Sequence, residues 1–265
     1  MASTTRADGT AERWAELWGA RPHGWAAIEE QQLPTYEEAI ERIGVSPGQL
    51  VLDLGCGSGV FLRAAADRGA RVFGFDAAES LLEIARARVP DADLRRGDLQ
   101  FLPYEDDRFD LVTGFNSFFF AASMTASLRE AGRVAKPGAT VLIQVWGRPE
   151  RCDLSAMLDA ISKLRPERDA PASPPLSKPG VLEGIATEAG LSPRTAFDFS
   201  YAIEYPDEEV LADRMLSAGG VVEAVRESRE DAVRSAIVES LTAYRLEDGS
   251  YRLENEWHYL VTTAR

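Results

Sequence analysis

The stretch Val51-Leu52-Asp53-Leu54-Gly55-Cys56-Gly57-Ser58-Gly59 constrains this chain more than any other. Four mostly apolar residues read as a short buried strand. Glycine then stands at 55, 57 and 59, and Val60, Phe61, Leu62, Ala64 and Ala65 open a helical pattern. Strand, glycine turn and helix form the first unit of a nucleotide-binding α/β sheet. Such glycines adopt backbone angles closed to other residues and let a ligand approach the main chain, while the next helix directs its positive dipole end at the turn.

Two details narrow the ligand. The dinucleotide pattern G-x-G-x-x-G requires glycine at position 60, where this chain has Val60. An acid, Asp53, ends the strand just before the turn. It disfavours a pyrophosphate and favours a cation. The pattern D-x-G-x-G-x-G resembles the first motif of the class I S-adenosylmethionine-dependent methyltransferases. A bare strand–helix turn without ligand is the competing reading.

The following segments keep that pattern. Arg71 to Asp76 is an apolar strand ending in an acid, 17 positions beyond Gly59, near the spacing at which a carboxylate meets ribose hydroxyls. Helix capping is the alternative role for Asp76. Leu94 to Leu99 reads as a third strand and turn, Phe109 to Asn116 as a fourth strand, Ala126 to Ala135 as a helix, Lys136-Pro137-Gly138 as a turn, and Ala139 to Val145 as a fifth strand. The resemblance spans about 50–146. It implies a Rossmann-like, doubly wound, seven-stranded, mostly parallel sheet with an antiparallel last strand. It also implies S-adenosyl-L-methionine as cofactor, held by Asp53, Gly55, Cys56, Gly57, Asp76, Ala77, Asp98, Leu99, Phe115 and Asn116, with Asp98 at the adenine. One ring of Phe118, Phe119 and Phe120 is expected to face the methyl group.

Outside that region, Trp14, Leu17 and Trp18 recur at helical spacing, and Trp25 and Ile28 follow. These tryptophans suit either packing or a lid. A helix is expected over Thr35 to Ile43, capped by Thr35 and closed by Gly44. Asp153 to Leu164 and Gly180 to Gly190 read as helices around a proline-rich loop over Pro166 to Pro179, and Arg194 to Ile203 as a strand. Asp207 to Tyr244 reads as helical and Tyr251 to Thr262 as the last strand. The expected organisation is an N-terminal helical cap, 1–46, then a methyltransferase domain, 47–265, with a helical insert at about 207–246.

The formal net charge of −14 in 265 residues disfavours nucleic acid and anionic membranes as partners. Two cysteines, Cys56 and Cys152, show neither metal-ligand nor disulfide spacing. Met1 to Thr10 lacks the apolar core of a signal peptide, and no stretch suits a bilayer span, so a cytoplasmic protein is expected. Methyl transfer from a sulfonium needs alignment and exclusion of water, and a base only where the acceptor must lose a proton. The expected acceptor is a small molecule, apolar or aromatic, attacking through O, N or C. His23, in the tryptophan-rich segment, is the first choice for a base; His258, on the polar side of the last strand, is expected at the surface. A non-methylating relative that keeps the cofactor is one alternative, and an NAD-dependent oxidoreductase is another.

Overall fold

A computed structural model describes residues 10–165 and 174–265. Three helices come first: α1 (Ala11–Trp18), α2 (Pro22–Gln31) and α3 (Leu33–Ile43). Thr35 does not cap α3. The helix begins two residues earlier, around Pro34, and the Thr35 hydroxyl donates back to the Gln32 carbonyl. Gly44, with φ 75°, closes the helix as expected.

The sheet begins with β1 (Leu50–Leu54), α4 (Val60–Asp67), β2 (Arg71–Asp76), α5 (Glu79–Arg88), β3 (Asp93–Arg96) and β4 (Phe109–Phe115). It continues through α6 (Met124–Val134) and β5 (Ala135–Trp146). Then α7 (Leu154–Ser162) and α8 (Val181–Glu188) lead into β6 (Ser192–Tyr205). Three helices, α9 (Glu208–Met215), α10 (Gly219–Glu227) and α11 (Glu230–Leu241), precede β7 (Tyr251–Thr263). The strand order is β3-β2-β1-β4-β5-β7-β6. The neighbours from β3 to β5 are parallel, and β7 is antiparallel to both β5 and β6. This is the expected Rossmann-like seven-stranded sheet.

Alternation along the strands builds two cores. Val51 and Val72 enter one, on one face; Leu52, Leu54, Phe73 and Phe75 enter the other. Burial on both faces is why these strands are almost continuously apolar. The Lys136-Pro137-Gly138 segment lies within the span of β5 rather than before it. Phe109 pairs with Ala135 and Leu111 with Thr140, so the extra residues form an irregularity, with Gly138 at φ 77°. The proline-rich stretch lies partly outside the described residues.

The added helices meet above the carboxyl ends of the parallel strands. A Cβ on Gly219 would stand 2.6 Å from the Trp18 ring, so glycine lets α10 dock on α1. No helix among the described residues is long and apolar enough to cross a membrane.

Candidate active site

The glycine turn is bent by left-handed angles, φ 76°, 52° and 81° at Gly55, Gly57 and Gly59. The Gly55 amide donates to the Phe75 carbonyl at 2.7 Å, tying the turn to β2. Asp76 braces it further. Its Oδ2 accepts from the Gly57 amide at 2.9 Å and its Oδ1 from the Ala78 amide at 2.8 Å. Asp76 thus binds two amides from two segments, which is more than a helix cap does.

A second carboxylate reaches the turn from α2. Glu29, 4% exposed, accepts from the Ser58 amide at 2.8 Å, next to the start of α4. A Cβ on Gly57 would lie 2.7 Å from Glu29 Oε2. The positive end of the α4 dipole therefore already faces a protein carboxylate. The third acid, Asp53, is 2% exposed and accepts the Thr113 hydroxyl at 2.7 Å. Burial pushes the carboxyls up, Glu29 to about 7 and Asp53 to about 8, and raises Asp76 as well. Arg88 binds the Ser58 carbonyl at 2.7 Å and pairs with Glu30. The electrostatics of the turn favour a ligand with positive charge and oppose a pyrophosphate.

A cavity of about 610 Å³ opens from this turn. Gly55, Gly57, Asp76, Ala77, Leu99, Phe115 and Asn116 line it, seven of the residues expected at the cofactor. Asp53 and Cys56 stand buried behind the turn and are not in the lining. Asp98 stands outside the lining, and its Oδ1 accepts from the Gln100 amide at 2.9 Å. His23 also stands outside it, exposed in the first turn of α2. His258 is half-buried on β7, its Nδ1 2.6 Å from Asp198, and is likewise outside the lining. Ile203 and Tyr205 at the end of β6 line the cavity, paired there with Leu253 and Tyr251 at the start of β7.

Trp14, Trp18 and Trp25 line its roof, with Trp18 and Trp25 at 4.4 Å between ring centroids. Phe119 and Phe120 also face it, while Phe118 is core, 1% exposed. Sequence reasoning missed Glu29. Its signal is the spacing Trp25, Ile28, Glu29, Gln32 and Tyr36, which puts a carboxylate on the inward face of a helix.

This sheet, with an acid-rich glycine turn opening on an apolar cavity, defines a nucleoside-cofactor enzyme of the α/β class. The comparisons agree. Residues 52–143 match the family model described as a methyltransferase domain. A protein of Mycobacterium tuberculosis is 28% identical over 94% of this chain and 92% of its own length. The ubiquinone biosynthesis O-methyltransferase of Hahella chejuensis is 31% identical over 52% of this chain and 63% of its own. The fold matches that of the phosphoethanolamine N-methyltransferase 2 of Haemonchus contortus, solved with S-adenosylhomocysteine (TM-score 0.54, 19% identity, 87% of this chain and 52% of that one). Residues 52–143 of this chain form a methyltransferase domain of the class I, S-adenosylmethionine-dependent type.

The turn fits that cofactor on physical grounds. Its carboxylates complement a sulfonium and an ammonium, and Gly55 leaves room that a side chain would fill against Ser117.

Proposed function

We propose that this enzyme methylates an oxygen of a largely apolar small molecule. The observation that carries the reading is the lining of the cavity. Beyond the glycine turn its walls are Met157 and Ile161 of α7, Met215 of α9 and Val221 of α10, beneath three tryptophans. An apolar acceptor gains roughly 25 cal/mol for each Å² of apolar surface removed from water. Arg165, which also lines the cavity, is already paired with Glu223 and Glu227, so a charged acceptor would lose hydration without a free partner there. The relative from Hahella chejuensis, an O-methyltransferase of ubiquinone biosynthesis, supports oxygen as the attacking atom. The acidic net charge of −14 speaks against nucleic acid as the acceptor.

Bound S-adenosylmethionine supplies an electrophilic methyl group. The chain supplies alignment and dryness. Gly55, Gly57 and Asp76 form the cofactor side, and the aromatic roof excludes water from the line of attack. Neither histidine lines the cavity, so the reading requires an acceptor hydroxyl acidic enough to be lost without an imidazole, such as a phenol or an enol.

The test is a panel of lipophilic phenols, enols and alcohols, with charged polar compounds alongside, incubated with methyl-labelled S-adenosylmethionine. Label is expected in ether products of the apolar phenols or enols. Label confined to charged compounds, or found on nitrogen, would overturn the reading.

A further inference from the structure

Glu29 lies outside the matched methyltransferase domain and behind the cavity lining, yet it grips the glycine turn that lines the cavity, so any effect on a ligand passes through that turn. Every charged group acting on it belongs to the same small region. Asp76 faces it from β2, Asp53 from β1 and Arg88 from α5, while the Tyr36 hydroxyl approaches from α3. Arg88 is the one cation of this set, and it is committed to Ser58 and Glu30. Three carboxyl groups therefore crowd one turn.

A buried carboxylate in such company destabilises the fold, and an amide of the same shape would accept the Ser58 bond without the charge. A carboxylate that lowers stability beside a ligand site fits the trade-off between stability and function found at such sites. A second group at this turn also waits for a ligand. Ser117 is 7% exposed, lines the cavity against Gly55, and its Oγ has no hydrogen-bond partner among the described residues.

We propose that Glu29 is a cofactor-positioning residue, whose carboxylate, carried in by the N-terminal helices, supplies negative charge that draws the positive end of S-adenosylmethionine onto the glycine turn. The fold itself does not need this charge; the cofactor does. Burial places the Glu29 carboxyl at about 7, so the charge is present above that pH and lost below it.

The experiment compares wild type with Glu29→Gln in the full chain. Thermal unfolding without cofactor and calorimetric binding of S-adenosylmethionine are followed from pH 6 to pH 8. The variant is expected to unfold at the same or a higher temperature while binding the cofactor about tenfold more weakly at pH 8, as for a lost bond to a charged group. Wild-type affinity should fall towards pH 6. The variant's profile should be flatter, and Asp53 contributes its own slope to both. Equal affinity at every pH would overturn the proposal. So would a fall in unfolding temperature that tracks the loss of binding, since Glu29 would then be structural. If the glutamine variant does not fold, the wild-type pH profile still decides: affinity unchanged between pH 8 and pH 6 overturns the proposal.

Discussion

The Tyr259 hydroxyl lies 2.9 Å from the Thr35 carbonyl, and that bond decides which end of the Asn116 amide is left for the cavity. A carbonyl only accepts, so Tyr259 donates to it. Tyr259 must then accept from Gln144 Nε2, at 2.9 Å. Gln144 Oε1 is thereby turned to Asn116 Nδ2, at 3.2 Å. Asn116 Oδ1 remains without a partner among the described residues, on a backbone held at φ 49°. One backbone carbonyl on α3 thus sets the polarity of a chain of side chains ending at β4.

Tyr259→Phe removes the donor to Thr35 and the acceptor for Gln144 together. Both partners are buried, so unfolding in urea should show a loss of about 1–3 kcal/mol for the unsatisfied groups. An unchanged urea midpoint would mean that the chain carries no weight.

Asp53→Asn should separate stability from cofactor binding. The folded-state carboxyl, pushed up to about 8, holds its proton where the unfolded chain, near 3.8, has released it. Its stabilising effect is complete below the unfolded value and is lost as pH rises through about 8. The apo protein should therefore lose stability from pH 5 to pH 8, less steeply in the asparagine variant. At pH 8 that variant should melt about 3 °C or more above wild type. Melting curves at the two pH values check both statements.

Asp76→Ala should weaken binding of S-adenosylhomocysteine by roughly 1.5–3 kcal/mol, the range for bonds to a charged group. It also frees the Gly57 and Ala78 amides, at a turn whose fold the backbone bond to Phe75 still holds. Isothermal titration with native circular dichroism checks it, and an unchanged dissociation constant would restrict Asp76 to bracing.

Gly57→Val should abolish cofactor binding with the secondary structure intact. The new side chain meets Glu29 and must adopt φ 52°, which a β-branched residue resists. Retained binding in a titration would show that the main chain is not approached there.

His23→Ala and His258→Ala should both turn over within about twofold of wild type, because a general base, worth 10²–10⁴-fold, must reach the proton it takes. His23 is exposed and His258 is engaged with Asp198. Measured kcat for each variant, on whichever acceptor the panel identifies, settles the point.

The sequence carried the sheet and the glycine turn openly, because alternating burial and left-handed glycines leave a periodic imprint. Asp76 was legible for the same reason: it ends a strand at a fixed distance from the turn. Asp98 was less legible, since an acid at a strand end looks alike whether it reaches a ligand or braces its own turn, as Asp98 does on the Gln100 amide. The Lys136-Pro137-Gly138 segment resembled a turn because proline and glycine mark turns and strand irregularities alike. Glu29 was hidden by distance. Its role depends on where α2 docks, and nothing local in 22–31 states that the helix meets residue 58.

The roof over the acceptor is fastened mainly along its rim. Arg21 pairs with Glu230 at 2.6 Å, Arg226 with Glu16 at 3.3 Å and Arg13 with Glu223, each pair joining the N-terminal helices to the region of α10 and α11. The glycine turn is encoded within 52–143, and this roof on two stretches, before and after it, the first of which also carries Glu29. Descent can therefore act on the two separately. Rim charges and tryptophans can be exchanged while the sequence of the glycine turn is inherited unaltered, provided that α2 still brings Glu29 to Ser58.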